Sequence, residues 1–238
     1  MHPDRRQLPL PFPHRHAFDA RDFIAAESNR DALTWLDAAW PDRRLVIWGP
    51  AGCGKSHLLH TWVDRQGGVV SMGAALRDLD MIPHSGALAV DDADMVSPDN
   101  LLLHILNTAR DRGLRLILSG REPPARWPVR LPDLSSRLRA ITTVEIRPPD
   151  DALLAGMLMR LLSDRQLSVP PAVQTWLLTR LPRSAGTLRA VVARLDRESL
   201  SKGSAITRPL AEAVLRSADI LGDEADEFFM PEFDPAST

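Results

Sequence analysis

Five short runs of aliphatic and β-branched residues recur along the first two thirds of the chain: RLVIW at 44–48, GVVSM at 68–72, ALAVD at 87–91, LRLILS at 114–119 and TTVEI at 142–146. Within them apolar positions are near-continuous rather than alternating, the pattern of strands buried on both faces, and segments of helical spacing fill the intervals. Such alternation predicts an α/β fold, a parallel sheet covered on both sides by helices. Upstream, Leu33, Leu36 and Trp40 are spaced as one apolar face of a helix running from Ser28. SPDNLLLHILNTARDRG reads as a further helix, with Ser97 as its N-cap, Pro98 in the first helical position and Gly113 as its stop.

Beyond the PPD at 148–150 the strand-like runs end. Residues 150–165, 170–181, 184–200 and 207–218 each carry the helical period, with TW and LL pairs turned inward. The chain therefore divides into an extended segment over 1–17, an α/β domain over 18–147, a small all-helical domain over 148–221 and an acidic tail over 222–238, GDEADEFFMPEFDPAST. The first segment, rich in Pro, His and Arg, encloses QLPLPF at 7–12, large apolar side chains in a stretch whose prolines forbid a helix.

Composition narrows the classes of function. The 238 residues are 44% hydrophobic and 25% charged, ordinary for a globular protein. With 29 Lys+Arg against 31 Asp+Glu the net charge is −2, so no cationic surplus announces a nucleic-acid surface. Cys53 is the sole cysteine, which excludes an internal disulfide and a multi-thiol metal site and suits a reducing cytosol. Neither a signal peptide nor an apolar run of about 18 residues is found, so a cytoplasmic protein without a membrane segment is expected.

The candidate chemistry centres on GPAGCGKS at 49–56, which fits G-x-x-x-x-G-K-[ST] in full, with a strand-like run entering it and a helical stretch, KSHLLHTWV, leaving it. In that setting Gly49, Gly52 and Gly54 let backbone N–H groups converge on phosphate oxygens at a helix N-terminus. Lys55 would reach the terminal phosphates and Ser56 would ligate Mg²⁺. Cys53, at a free position of the loop, is read as a small filler. LAVDDAD at 88–94 delivers two carboxylates at a strand end, Asp91 for Mg²⁺ and Asp92 for the attacking water. Asp92 is one methylene shorter than glutamate, so slow hydrolysis is expected.

These motifs stand in a recognisable order. FIAAESNRDAL, GPAGCGKSHLL, LAVDDAD, LILSGREPP, LPDLSSRLRA and VEIRPPD together resemble the AAA+ module of the bacterial initiator DnaA from about residue 18 to about 218. With no basic helical segment left to read duplex DNA, and with a Gln-Leu motif in front, the chain resembles the Hda-type regulatory inactivators of DnaA. The resemblance implies ADP or ATP with Mg²⁺ as ligands. It implies a nucleotide site that adds Asn29, Pro50, Ala51, His57 and Arg189 to the loop residues, and Arg137 as an arginine finger acting on a neighbouring subunit's nucleotide. It implies two partners, DnaA itself and the β sliding clamp of DNA polymerase III, the clamp met through Gln7, Leu8, Leu10 and Phe12. The expected activity is promotion of hydrolysis of DnaA-bound ATP, negatively regulating initiation, with weak or no intrinsic turnover. The alternative is an initiator accessory or helicase-loader-like ATPase on single-stranded DNA; self-association stays open. Two positions depart from the family pattern: Arg121 stands where an acidic residue is common, and Gly186 where arginine is usual. Arg183 and Arg189 lie one turn to either side of Gly186.

Overall fold

The computed structural model describes residues 24–217. Each of the five apolar runs forms a strand: Arg44–Trp48 (β1), Val69–Met72 (β2), Ala87–Asp91 (β3), Arg115–Gly120 (β4) and Thr142–Glu145 (β5). All pair in parallel in the order β2-β3-β4-β1-β5, so β1 lies between β4 and β5, and Trp48, Met72, Asp91, Gly120 and Glu145 gather at one end of the sheet. Arg30–Asp37 (α1) precedes the sheet, and the helices between strands are Lys55–Gln66 (α2), Asp99–Asp111 (α3) and Pro132–Ala140 (α4).

Strand periodicity sends alternate side chains to opposite faces, and two cores result. Leu45, Ile47, Ala89 and Ile117 pack with Leu36 of α1 and Leu58, Leu59 and Trp62 of α2. Val46, Leu88, Val90, Leu116 and Leu118 pack with Leu102, Ile105 and Leu106 of α3 and Leu134 and Leu138 of α4. Burial of each such side chain contributes about 1.5–3 kcal/mol, which explains why runs this apolar must be covered on both faces.

Past β5 the chain is helical: Asp151–Asp164 (α5), Pro171–Leu178 (α6), Ala185–Lys202 (α7) and Arg208–Ser217 (α8). Asp150 caps α5 by accepting from Leu153 N at 2.7 Å, and Ser184 caps α7 by accepting from Thr187 N at 3.2 Å. Leu158, Leu162, Leu177, Leu188, Val191 and Leu195 form a separate core.

Three local expectations are corrected. The first helix stops at Asp37, because Ala38 is extended and Pro41 follows, so Trp40 lies beyond it and stacks on Trp62 at 5.0 Å. Pro98, in extended backbone, occupies the N-cap of α3 in place of Ser97, and the Asp99 carboxylate accepts instead from Arg130 N and Leu131 N at 2.6 and 3.1 Å. The TW pair is split: Thr175 is exposed, whereas half-buried Trp176 packs against the helical core with the guanidinium groups of Arg180 and Arg208 over its ring, and Leu177 is buried.

Candidate functional site

The loop 49–54 leaves β1 and turns directly into α2. A side chain at Gly49 would place its Cβ 2.2 Å from the carbonyl oxygen of Ile146, and one at Gly52 would lie 2.0 Å from Ser184 Oγ, at a φ of +71° that L residues avoid. Both glycines are therefore demanded by close approach of the chain. Lys55, buried at 6% exposure, donates through Nζ to the carbonyls of Gly49 and Pro50 at 2.8 and 3.0 Å. An ammonium buried this far needs such partners, and they hold its charge at the mouth of the loop. Ser56 is half-buried in the first turn of α2, while Pro50 and Ala51 are exposed. Cys53 is buried, and burial pushes its thiol above the ordinary value, in keeping with a filler.

Pairing of β3 with β4 brings Ser119 beside Asp91. Asp91 is 2% exposed; its Oδ1 accepts from Ser119 Oγ and, at 3.2 Å, from Asp92 N. The Asp92 amide is also 2.9 Å from Ser119 Oγ, and its backbone is left-handed, φ 48° and ψ 52°. Burial, then the charges of Asp91 and Asp94, push the Asp92 carboxyl above the usual carboxylate range, against the opposing pull of Lys55 and Arg121. Arg121 follows β4, where Gly49 N donates to Gly120 O at 3.2 Å and Arg121 N to Asp94 Oδ2 at 3.1 Å. Loop, acidic strand end and Arg121 thus converge.

The helical region reaches the same place. Ala185 N, at the start of α7, donates to Gly52 O at 3.0 Å, and Arg189 Nη2 lies 3.3 Å from His57 Nδ1 on buried His57 of α2. Arg183 precedes α7 rather than lying on it and pairs with Asp151 at 3.0 Å, so of the two arginines flanking Gly186 only Arg189 faces the loop's helix. Asn29 is 4% exposed, and its side chain bonds locally, Oδ1 accepting from Ala26 N at 2.9 Å and Nδ2 donating to Ile24 O at 3.0 Å. These bonds shape the turn before α1. Arg137, 30% exposed in the last turn of α4, is paired through Nε with Asp133 at 2.9 Å. Gln7, Leu8, Leu10 and Phe12 lie outside the described residues.

Two contributors escaped sequence reasoning. Ser119 fixes Asp91, and its signal was a hydroxyl at the end of an otherwise aliphatic buried strand. Ser184 abuts the loop across about 130 residues of sequence, a contact that no local pattern announces.

The arrangement suits a polyphosphate: convergent backbone amides, the positive end of α2 and one buried ammonium. The donors also suit a hard divalent cation, since the Ser56 hydroxyl and the buried Asp91 carboxylate would be completed by phosphate and water oxygens. Among the described residues no three His, Cys, Asp or Glu form a metal-holding group of their own.

Residues 151–215 match the family model of the Hda lid domain. The fold superposes on domain III of the Thermotoga maritima replication initiation protein DnaA with a TM-score of 0.70 at 18% identity, covering 87% of this chain and 98% of that one. AMPPCP-bound DnaA from Aquifex aeolicus gives 0.63 at 19%, covering 84% and 69%. The Thermotoga maritima RuvB Holliday junction branch migration motor gives 0.63 at 16%, covering 90% and 75%. The described fold is similar to that of DnaA domain III, and the helical region after β5 matches an Hda lid domain. Its lid is the helical region α5–α8, and the Ala185–Gly52 hydrogen bond joins this lid to the glycine loop. None of the helices among the described residues is long and apolar enough to cross a membrane.

Proposed function

We propose that this chain is a DnaA-related regulatory adaptor that binds adenine nucleotide, docks on the β sliding clamp and promotes hydrolysis of ATP held by DnaA. The observation that carries the reading is the meeting of the glycine loop, the Lys55 ammonium and the Asp91–Ser119 pair beneath an Hda-type lid. The AMPPCP complex of a DnaA with this fold supports a nucleotide in the cleft.

The residues divide the work as their positions allow. Amides of 49–56 and the Lys55 ammonium bind the β- and γ-phosphates, and Arg189 beside His57 closes the site from the lid. Ser56 and Asp91 hold Mg²⁺, which when bound neutralises phosphate charge. Asp92 orients water, and burial together with the charges of Asp91 and Asp94 raises its proton affinity. The cytoplasmic, membrane-free setting expected from the sequence fits this role.

Arg137 acts outward. Its pair with Asp133 is a surface i,i+4 contact, of a kind that contributes about 0.3–0.5 kcal/mol, so releasing it toward a neighbouring subunit costs little. A guanidinium supplied to a transferring phosphoryl group is worth about 10³–10⁵ in rate in GTPase systems, far more than the pair it gives up. Docking through Gln7, Leu8, Leu10 and Phe12 would confine this action to clamps on replicated DNA.

The test is turnover of DnaA-bound ATP in the presence of clamp loaded on DNA. Stimulation by the full chain that disappears with Arg137→Ala supports the adaptor; undiminished stimulation by the variant overturns it.

A further inference from the structure

At the pole of the sheet opposite the glycine loop, the first residues of β3 and β4 and the residue before β1 border a cavity of about 620 Å³, lined among others by Trp40, Arg43, Gln66 and Arg115. Arg115 lies over the rings of Trp40 and Trp62 at 4.4 and 5.3 Å and donates to Gln66 Oε1 at 2.8 Å and Ala38 O at 3.4 Å. Arg43 donates to Gly113 O at 2.6 Å. Neither guanidinium has a carboxylate within 4 Å among the described residues, and the lining's sole acid, Asp37, faces Arg65 at 3.6 Å. Next to them Arg112 is likewise held by carbonyls, those of Ile82 and Pro83. Burial and the charge of Arg43 together pull the Arg115 guanidinium below its ordinary value, so two cations share this concavity without neutralisation.

An anion is the missing complement, and its chemistry can be narrowed. Trp40 is 7% exposed and its face is already taken by Arg115, so no bare ring offers a platform for a nucleobase. Carboxylates carried on a peptide fit better, and Ala38 and Ala39 give that peptide an apolar wall. The chain contains such a peptide. Residues 222–238 carry Asp223, Glu224, Asp226, Glu227, Glu232 and Asp234, no basic residue, and Phe228, Phe229 and Phe233.

We propose that this arginine-tryptophan pole is the docking site of the chain's own acidic C-terminal segment, residues 222–238. The span suffices: the 17 residues from Ser217 to Asp234 reach about 55 Å when extended, against a domain of about 200 residues whose radius of gyration is roughly 16 Å. Binding of this segment is independent of the nucleotide and clamp assignments, which concern the other end of the sheet.

The test uses the full chain in two forms, native and with the six tail acids replaced by their amides (Asp→Asn, Glu→Gln). A synthetic peptide of residues 222–238 is titrated into each by calorimetry. The amide form, its own tail disabled, binds the peptide, and the native form binds it several-fold more weakly because its site is filled. Arg43→Glu, an exposed position that leaves the core untouched, weakens peptide binding to the amide form by roughly tenfold or more, and added salt weakens it further. Arg115→Gln does the same, with its melting curve as a control for folding. Equal peptide affinity in native and amide forms overturns occupation by the tail, and indifference to Arg43→Glu overturns the site. A single-stranded oligonucleotide that binds through Arg43 where the peptide does not assigns the pole to nucleic acid and overturns the proposal.

Discussion

The two ends of the parallel sheet hold charge in opposite ways. Where the strands end, Lys55 and Asp91 are almost wholly buried, and each is satisfied by a carbonyl, an amide or a hydroxyl set in place by the backbone. Where the strands begin, Arg43 and Arg115 stay partly in water, steadied by indole faces and by single carbonyls. Burying an ion is costly unless its partners are fixed beforehand, so the first end needs glycine-only backbone and close approach between loop and lid. A charge left at the surface makes no such demand. Packing alone can assemble the second end, from residues far apart in sequence. The first arrangement is suited to a small, highly charged ligand, the second to a larger and weaker partner.

The comparison can be broken most forcefully at the pole. Trp62 is 3% exposed and stacked on Trp40, so Trp62→Ala should cost about 3–5 kcal/mol of stability, measured by denaturant unfolding. If the two ends are independent, ADP binding by the remaining folded protein survives; collapse of both together shows them to be one unit. Lys55→Ala comes next. It removes charge-assisted hydrogen bonds worth about 1.5–3 kcal/mol each, and nucleotide affinity should fall roughly 10- to 100-fold by calorimetry while the pole keeps its tryptophan fluorescence. Gly52→Ala is expected to be milder in energy and sharper in location. Left-handed backbone costs an L residue about 1–2 kcal/mol, and the new methyl would sit 2.0 Å from Ser184 Oγ, so the lid must shift. Faster hydrogen exchange at the Ala185 amide would report loss of its bond to Gly52.

How much of this was legible in the sequence follows from the same contrast. β1 and β3 match their apolar runs residue for residue, because strands buried on both faces tolerate little else, and the glycine loop is legible because its backbone shape admits few residues at fixed spacing. Helix ends were less readable. Trp40 kept the helical spacing yet left the helix, since stacking on Trp62 and the approach of Pro41 outweighed periodicity. Arg183 and Arg189 looked equivalent around Gly186, and only the position of the Ser184 cap separates the arginine that pairs with Asp151 from the one that meets His57. The pole was invisible: Trp40, Trp62, Gln66 and Arg115 carry no motif and are brought together by sheet order.

The smallest expected effect sharpens the contrast further, because it asks whether charge at the nucleotide end is held at a cost. Burial first, then Asp91 and Asp94, raise the proton affinity of Asp92 in the folded state. For a carboxyl raised above its unfolded value the folded form binds the extra proton, so the penalty is absent below about pH 4, grows as pH rises through the folded value and is complete above it. Asp92→Asn keeps the backbone amide that bonds Ser119 and tolerates the left-handed conformation, so what it deletes is the charge. Thermal melts should show the variant slightly more stable than the native chain at neutral pH, with the difference closing toward pH 4. A less stable variant at neutral pH would mean that Lys55 and Arg121 more than offset the burial of this carboxylate. The nucleotide end would then be held together by its charges instead of strained by them.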